Sequence, residues 1–474
     1  MASSAEAAAG STSTGQAFGT PGYRNYVLFT LLLCYTLNFI DRILIQVLSE
    51  PIINEFGLKD WQFGLLSGFG FALLYTIAGI PIARLAERMN RVKIIAISIV
   101  IWSLMTALCG LAGSFIALLA FRVGVGIGEA GLTPPANSII ADYFPPRSRA
   151  RALAVYAMGV TLGSVLAAAF GGPIAQAFSW REAFLLLGIP GILVGVVVWF
   201  TIKEPPRGYS DPVGTPKVES RGFGETLGRL AGNRSYWLNV TAATIVAFVG
   251  YGVSSFQASF FVRAYDLSLA QVATQFLIPL GLAAAGGTFL GGFLTEKLSG
   301  RFGTAVAWLP GYGLILAVPF YWFGFGSSDP FIAFWLLFAA AILHYSYLGA
   351  QYTICQGVVG ARSRATAIAI MLFVVNFIGY GAGPLVVGLL SDHYATAFLA
   401  SSQFAGELTI PMCKGDGATL LQNLGATKAA FCSQMSAEGL RQSVKLVSLL
   451  FGVAGLVYLM TSKTLHKDMV AKMN

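Results

Sequence analysis

Long uncharged apolar stretches recur through this chain, and they constrain its fold more than any other feature. Eight carry no charge at all: Trp61–Ala83, Ile94–Phe121, Ala152–Trp180, Ala183–Ile202, Ser235–Val262, Leu267–Thr295, Phe302–Ser328 and Ala365–Ser391. A helix needs about 20 apolar residues to cross about 30 Å of hydrocarbon. Lipid offers no backbone hydrogen bonds, so only helices and closed barrels span it. Runs this long without alternation exclude a barrel. Shorter or charge-interrupted runs at Asn25–Ser49, Phe115–Ala141, Pro330–Gly360 and Gln442–Ser462 bring the expected spans to twelve. The fold class is therefore all-α integral membrane. Only 11% of residues are charged, against about 25% in a soluble domain.

Charge placement gives the orientation. With the N-terminus in the cytoplasm, 21 of the 30 Lys and Arg residues fall inside, 6 outside and 3 within spans (Arg42, Arg122, Lys445). Basic bias in loops sets membrane orientation, so both termini are expected in the cytoplasm and the chain in the cell (inner) membrane as a multi-pass protein. The net charge of +9 then reflects topology, and nucleic acid is not an expected partner. Residues 1–24, rich in Ala, Ser, Gly and Thr, read as a disordered tail and not a secretory signal.

Residues 203–234 form the one long polar interruption, rich in Pro, Gly and both charge signs, a composition that argues against a packed core. They separate a six-helix bundle at 25–202 from a second at 235–463, with a short cytoplasmic tail at 464–474; Gly222–Leu230 has the character of a short surface helix. The two halves repeat one another. Arg147-Ser148-Arg149-Ala150 between the fourth and fifth spans matches Arg362-Ser363-Arg364-Ala365 between the tenth and eleventh, 215 residues on (147 to 362). Glu87-Arg88 matches Glu296-Lys297, 209 residues on (87 to 296), and Gly172-Pro173 matches Gly383-Pro384. Parallel pseudo-symmetric halves are a transporter design, with the substrate site between them near the midplane.

An ionisable residue inside a span is a functional hypothesis by default. The first half holds Asp41 and Arg42 in the first span and Arg122 and Glu129 in the fourth. At 1.5 Å per residue, Asp41 lies about 24 Å from the inner end of its helix and Arg122 about 10 Å from the outer end of its own. The two share a level at which they can pair. Glu129 lies two turns beyond Arg122, about 10 Å deeper on the same face. The set reads as a charge relay. Asp41 and Glu129 are the expected proton carriers, and the non-titrating Arg122 is their switching partner; the alternative is a fixed ion pair that merely positions the helices. Arg42 is open to two readings, an anion clamp in the cavity or a local pair.

Other features take plainer readings. Gly124-Val125-Gly126-Ile127-Gly128 lies mid-span with no strand before it, so it is a close-packing run and not a dinucleotide loop. His344 reads as a hydrogen-bonded core residue before a proton carrier. Tyr75, Asn137, Tyr251, Gln257, Tyr345, Gln351, Asn376 and Tyr380 are available to line a pocket. Cys34, Cys109 and Cys355 read as packed small hydrophobes. Cys413 and Cys432 share the long outside loop, where an oxidising compartment permits a disulfide that would brace it. No metal-spaced cluster, phosphate loop or nucleophile–base set occurs. No cofactor beyond a coupling proton, and no enzyme activity, is expected.

Specific motifs carry a family resemblance. Ala83-Arg84-Leu85-Ala86-Glu87-Arg88-Met89-Asn90-Arg91 resembles the major facilitator superfamily signature, with Asn90 where Gly is usual and Glu87 where Asp is usual. Arg122 through Ala130 resembles the fourth-helix motif of that superfamily. Within it, Asn38-Phe39-Ile40-Asp41-Arg42, Arg122 to Ala130 followed by Ile140-Ala141-Asp142, and Trp180-Arg181-Glu182-Ala183-Phe184 are similar to the Spinster family. The resemblance implies proton-linked movement of lysophospholipids or sphingolipid-like amphiphiles by a monomer in the lipid bilayer, with Asp41, Arg122 and Glu129 carrying the coupling. It also implies conformational gating by Glu87, Arg88, Arg91, Arg147 and Arg149. Two other readings stand beside it: a proton-coupled symporter of small organic anions clamped by Arg42 or Arg122, and a non-transporting receptor or sensor on the same fold.

Overall fold

The computed structural model describes residues 17–210, 223–299, 302–359, 363–413, 415 and 417–469. Most of the N-terminal tail, the middle of the linker, Arg362 of the second basic turn and the last five residues lie outside them. Among the described residues, twelve helices are long and apolar enough to cross a membrane. They are α1 (Pro21–Val47), α2 (Asp60–Arg88), α3 (Arg91–Gly110), α4 (Phe115–Tyr143), α5 (Pro146–Ala177) and α6 (Trp180–Thr201), then α7 (Arg234–Tyr265), α8 (Leu269–Ser299), α9 (Ala305–Gly326), α10 (Pro330–Gly357), α11 (Thr366–Ala400) and α12 (Ala426–Asp468). A short surface helix, Phe223–Ala231, precedes α7.

Local chemistry explains where the helix ends depart from the sequence expectation. The first helix starts at Pro21 and not Asn25, because the Thr20 side chain accepts from the Tyr23 amide and Pro21 suits the first helical position. The last helix is far longer than the expected Gln442–Ser462 span. Its early part, from Ala426, packs Ala429, Cys432 and Met435 against Ala395, Leu399 and Leu408. Cys432 therefore sits on a helix, and a disulfide ties it to Cys413 at the end of a short 3-10 turn.

The same pairings recur in each half. Helices α1–α5, α2–α4 and α3–α6 pack together in the first, and α7–α11, α8–α10 and α9–α12 in the second, so the internal repeat of the sequence is also a repeat of packing. Around the perimeter, large apolar side chains point outward: Phe29, Leu193, Phe200, Phe289, Phe323 and Trp335 are each more than 60% exposed. Such a belt suits hydrocarbon and would be an aggregation surface in water. The protein is a multi-pass membrane protein.

An even number of spans puts both chain ends on one face, called here the terminal face. The halves meet at the opposite face. There α2 crosses α11 with backbones touching: a Cβ on Gly64 would lie 2.3 Å from the Pro384 carbonyl oxygen, and one on Gly388 would lie 2.4 Å from that of Asp60. Glycine is required at both positions. Short breaks in the helices flank the space between the halves, at Gly68 in α2, Ala130–Leu132 in α4 and Ser346 in α10, with π-turns at Val272–Leu277 in α8 and Val375–Tyr380 in α11. Such irregularities sit preferentially at functional sites.

Candidate functional site

Three features organise the space between the halves: a buried charge cluster, an apolar cavity beside it, and a polar latch above it.

The charge cluster is built by α1, α2 and α4. The glycine run brings α4 against its neighbours. A Cβ on Gly126 would lie 2.6 Å from the Phe71 carbonyl oxygen and one on Gly128 would lie 2.7 Å from the Trp102 nitrogen, which accounts for the run as packing. That approach buries Arg122, Glu129 and, from α1, Asp41 to 2% exposure or less. Arg42 Nε donates to Glu129 Oε2 at 2.5 Å, an ion pair between α1 and α4. The Arg42 guanidinium also lies 4.5 Å from the Tyr75 ring centroid, 4.9 Å from that of Phe71 and 5.1 Å from that of Phe39. Arg122 lies 5.6 Å from the same Phe71 ring, so both guanidinium groups lie over one aromatic.

The expected Asp41–Arg122 pair is corrected in its detail. The two residues do share a level, yet Arg122 Nη1 donates to the main-chain oxygen of Asp41 at 3.2 Å and not to its carboxylate. Asp41 Oδ1, Glu129 Oε1, Arg122 Nε and Nη2, and both polar atoms of the Asn38 side chain are buried without a hydrogen-bond partner. Groups left short of partners in low dielectric are costly. The cluster thus gathers two carboxylates and two guanidinium groups inside the first half, with Glu129 paired to Arg42.

The cavity, of about 220 Å³, lies between α1 and α5 of the first half and α7, α8, α9 and α10 of the second. Its wall is mostly apolar, with polar points that include Gln46, Ser164, Gln257, Thr288, His344 and Tyr345, and it contains no Lys, Arg, Asp or Glu. Of the pocket residues expected from sequence, Gln257 and Tyr345 line it. Tyr75 belongs to the charge cluster. Asn137 is exposed, Gln351 is buried with its main-chain oxygen accepting from Asn239 Nδ2, and Asn376 is half-buried in the π-turn of α11; these three and Arg42 lie outside the cavity wall. Tyr251 and Tyr380 pack on each other as tilted rings with centroids 4.3 Å apart, and neither is part of the wall. His344 is hydrogen-bonded, Nδ1 to the Tyr321 hydroxyl at 3.1 Å, and also faces the cavity. Gln46, Ser164 and Thr288 escaped sequence reasoning because a polar residue on a membrane helix gives no sign of which neighbour it faces.

The latch closes the opposite face. Arg263 on α7 forks onto Asp60 at the start of α2, Nη1 to Oδ2 at 2.8 Å and Nη2 to Oδ1 at 2.9 Å, and donates through Nε to Glu50 Oε1 at 2.8 Å. Ser391 donates to Asp60 Oδ2 at 2.6 Å, the Asp392 carboxylate accepts from the amides of Asp60 and Trp61, and Ser259 donates to Ser49 at 2.8 Å. In the sequence Glu50, Asp60, Arg263 and Asp392 stand just past the span ends, where a charge is unremarkable, so the latch was not foreseen. At the terminal face the pattern reverses: Glu87, Arg88, Arg147, Arg151, Glu296 and Lys297 are exposed. The halves are thus tied together by buried ion pairs at the opposite face, while these charges of the terminal face are solvent-exposed.

Of the expected gating residues, Arg91 is fully buried, with Nη1 on Asp142 Oδ2 at 2.5 Å and Nε on Glu204 Oε1 at 2.6 Å. It anchors the linker start to α3 and α4 within the first half. Arg149 donates to the Ala141 carbonyl at 2.8 Å.

This two-bundle fold with a central cavity agrees with the comparisons to known proteins. Residues 31–405 match the Major Facilitator Superfamily, and the chain belongs to that superfamily of membrane transporters. Within it the chain is Spinster-like: it is 44% identical, with a TM-score of 0.87, to a crystal structure of a bacterial homolog to the human lysosomal transporter Spinster in an inward-facing, unoccupied conformation, covering 95% of this chain and 99% of that one. It is also 31% identical to an MFS-type efflux pump of Mycolicibacterium smegmatis, covering 76% of this chain and 83% of that protein. Protein spinster of Drosophila melanogaster is 29% identical over 76% of this chain and 61% of its own length. The protein is a transporter and not an enzyme.

Proposed function

We propose that this protein is a proton-coupled secondary transporter that moves a lysophospholipid or sphingolipid-like amphiphile by alternating access, in the cell membrane with both termini cytoplasmic. The observation that carries the reading is the placement of a buried charge cluster, Asp41, Arg42, Arg122 and Glu129, beside a largely apolar cavity between two rocking halves. With the termini in the cytoplasm, the present state is inward-open. Glu129 is held by Arg42, while the Asp41 carboxylate has no guanidinium donor of its own. A rocking motion that moves α1 against α4 changes the field at both carboxylates and therefore their hold on a proton. Asp41 and Glu129 act as proton carriers, and Arg42 and Arg122 as the fixed charges they move against.

The cavity wall supports an amphiphilic cargo over a small organic anion. A short carboxylate is best gripped by a free guanidinium fork, and here Arg42 is already paired with Glu129 and Arg122 lies fully buried against main chain. Gln46, Gln257 and Tyr345 would orient a polar headgroup while the remaining wall accepts an acyl chain. The test is competition for a fluorescent lysophospholipid bound to the purified protein. Displacement by long-chain lysolipids and not by short carboxylates supports the reading. The reverse order assigns the chain to organic-anion symport. Binding with no flux in reconstituted vesicles would make it a receptor.

A further inference from the structure

A second site lies on the outside of the first half. Helices α3 and α6 pack closely because Gly195 has no side chain: a Cβ there would lie 2.8 Å from Val100 Cγ2. Over that contact runs a lipid-facing groove of about 320 Å³ whose wall is wholly apolar and includes Ala96, Ile97, Ile101, Gly195, Trp199 and Phe200. Its direction follows from the helices. Helix α3 begins at Arg91 at the terminal face, so Lys93 lies in the first turn, with Ala96 and Ile97 one turn deeper and Ile101 another turn below. Helix α6 ends at Thr201, so Trp199 and Phe200 flank the same mouth and Lys203 follows directly.

Charge marks the mouth and not the groove. Lys93 Nζ sits 5.4 Å from the Trp199 ring centroid, a Lys–Trp pairing suited to the headgroup level of a bilayer. Both Lys93 and Lys203 are exposed, and neither has a carboxylate within ion-pair distance among the described residues. Glu204, next to Lys203 in sequence, and Asp142 both turn inward onto Arg91.

We propose that this groove binds one anionic phospholipid, with an acyl chain along Ile97, Ile101 and Gly195 and its phosphate at Lys93 and Lys203. The site is distinct from the central cavity and independent of the transported cargo. A second copy of this chain is a poorer occupant, because a symmetric contact would bring the two lysine pairs together. Each lysine near an anionic headgroup contributes about fivefold in affinity, so the two together favour an anionic over a zwitterionic lipid by roughly thirtyfold.

The experiment is native mass spectrometry of the full chain titrated with phosphatidylglycerol or phosphatidylcholine of identical acyl chains. The expected result is a first phosphatidylglycerol bound roughly thirtyfold more tightly. That preference disappears in the Lys93→Gln, Lys203→Gln double variant, whose changes are at exposed positions and spare the fold. Val196→Trp, which fills the groove from its half-exposed rim, weakens both lipids at least tenfold. Equal binding of the two lipids by the unmodified protein, an unchanged preference in the double variant, or a second copy of the chain in place of lipid would overturn the proposal.

Discussion

Replacing Arg263 by Gln tests whether the latch holds the opposite face closed. In the closed state Arg263, Glu50 and Asp60 side chains are 6%, 10% and 4% exposed, so the substitution leaves two carboxylates buried without the cation that compensates them. Removing one partner of a buried ion pair costs about 3–5 kcal/mol. When the halves part at this face, water reaches both carboxylates and the penalty vanishes, so the loss falls on the closed state alone. At about 1.4 kcal/mol per decade, the equilibrium moves toward the opposite-face-open state by roughly two to three and a half orders of magnitude. Ser259 reports this directly. It is fully buried and bonded to Ser49 across the halves, so Cys at position 259 reacts with a membrane-impermeant maleimide only when that face opens. The other cysteines are buried or disulfide-bonded and give a low background. Labelling of Ser259→Cys should accelerate at least a hundredfold when Arg263→Gln is added. The partly exposed Arg441–Glu438 pair is the control: Arg441→Gln should change the rate by less than about threefold. An unchanged rate in a folded Arg263→Gln protein would refute the latch.

Three further outcomes follow from the geometry. Arg91→Ala strands Asp142 and Glu204 and should lower stability by about 3–5 kcal/mol, read as loss of detergent-solubilised protein on heating, whereas Arg88→Ala at an exposed position should have little effect. Replacing Cys413 and Cys432 by Ser releases a 19-residue closure; proteolysis within 401–425 should quicken while flux persists, since the bridge lies outside both cavity and latch. Gly388→Val, which would drive a side chain into the Asp60 main chain, should prevent closure of the opposite face and raise Ser259→Cys labelling as Arg263→Gln does.

Twelve spans, the two-half repeat and the four intramembrane charges were legible because lipid imposes simple rules: length, apolarity and the cost of burying charge leave few alternatives. Helix 4 showed its glycines as packing for the same reason. What the sequence concealed were partnerships. Asp41 and Arg42 are adjacent and point about 100° apart, so spacing alone could not decide which of them would meet Arg122 and which Glu129; the close approach of α4 to α2 and α3 decides it. Glu50, Asp60, Arg263 and Asp392 lie at span ends, where a charge costs little on its own, and only the meeting of the halves makes a latch of them. The cavity wall was hidden similarly: Gln257 and Tyr345 face it, while Asn137, Gln351 and Asn376, equally polar by sequence, turn elsewhere.

The coupling role of Asp41 and Glu129 is the central claim, and proton uptake into proteoliposomes during uptake of a lysophospholipid tests it most directly. Wild-type protein should move protons across the membrane in step with lipid entry. Asp41→Asn and Glu129→Gln should each reduce lipid-dependent proton movement at least tenfold while the protein still binds lipid. Lipid entry with undiminished proton movement in both variants would contradict the account and leave these carboxylates a purely structural role.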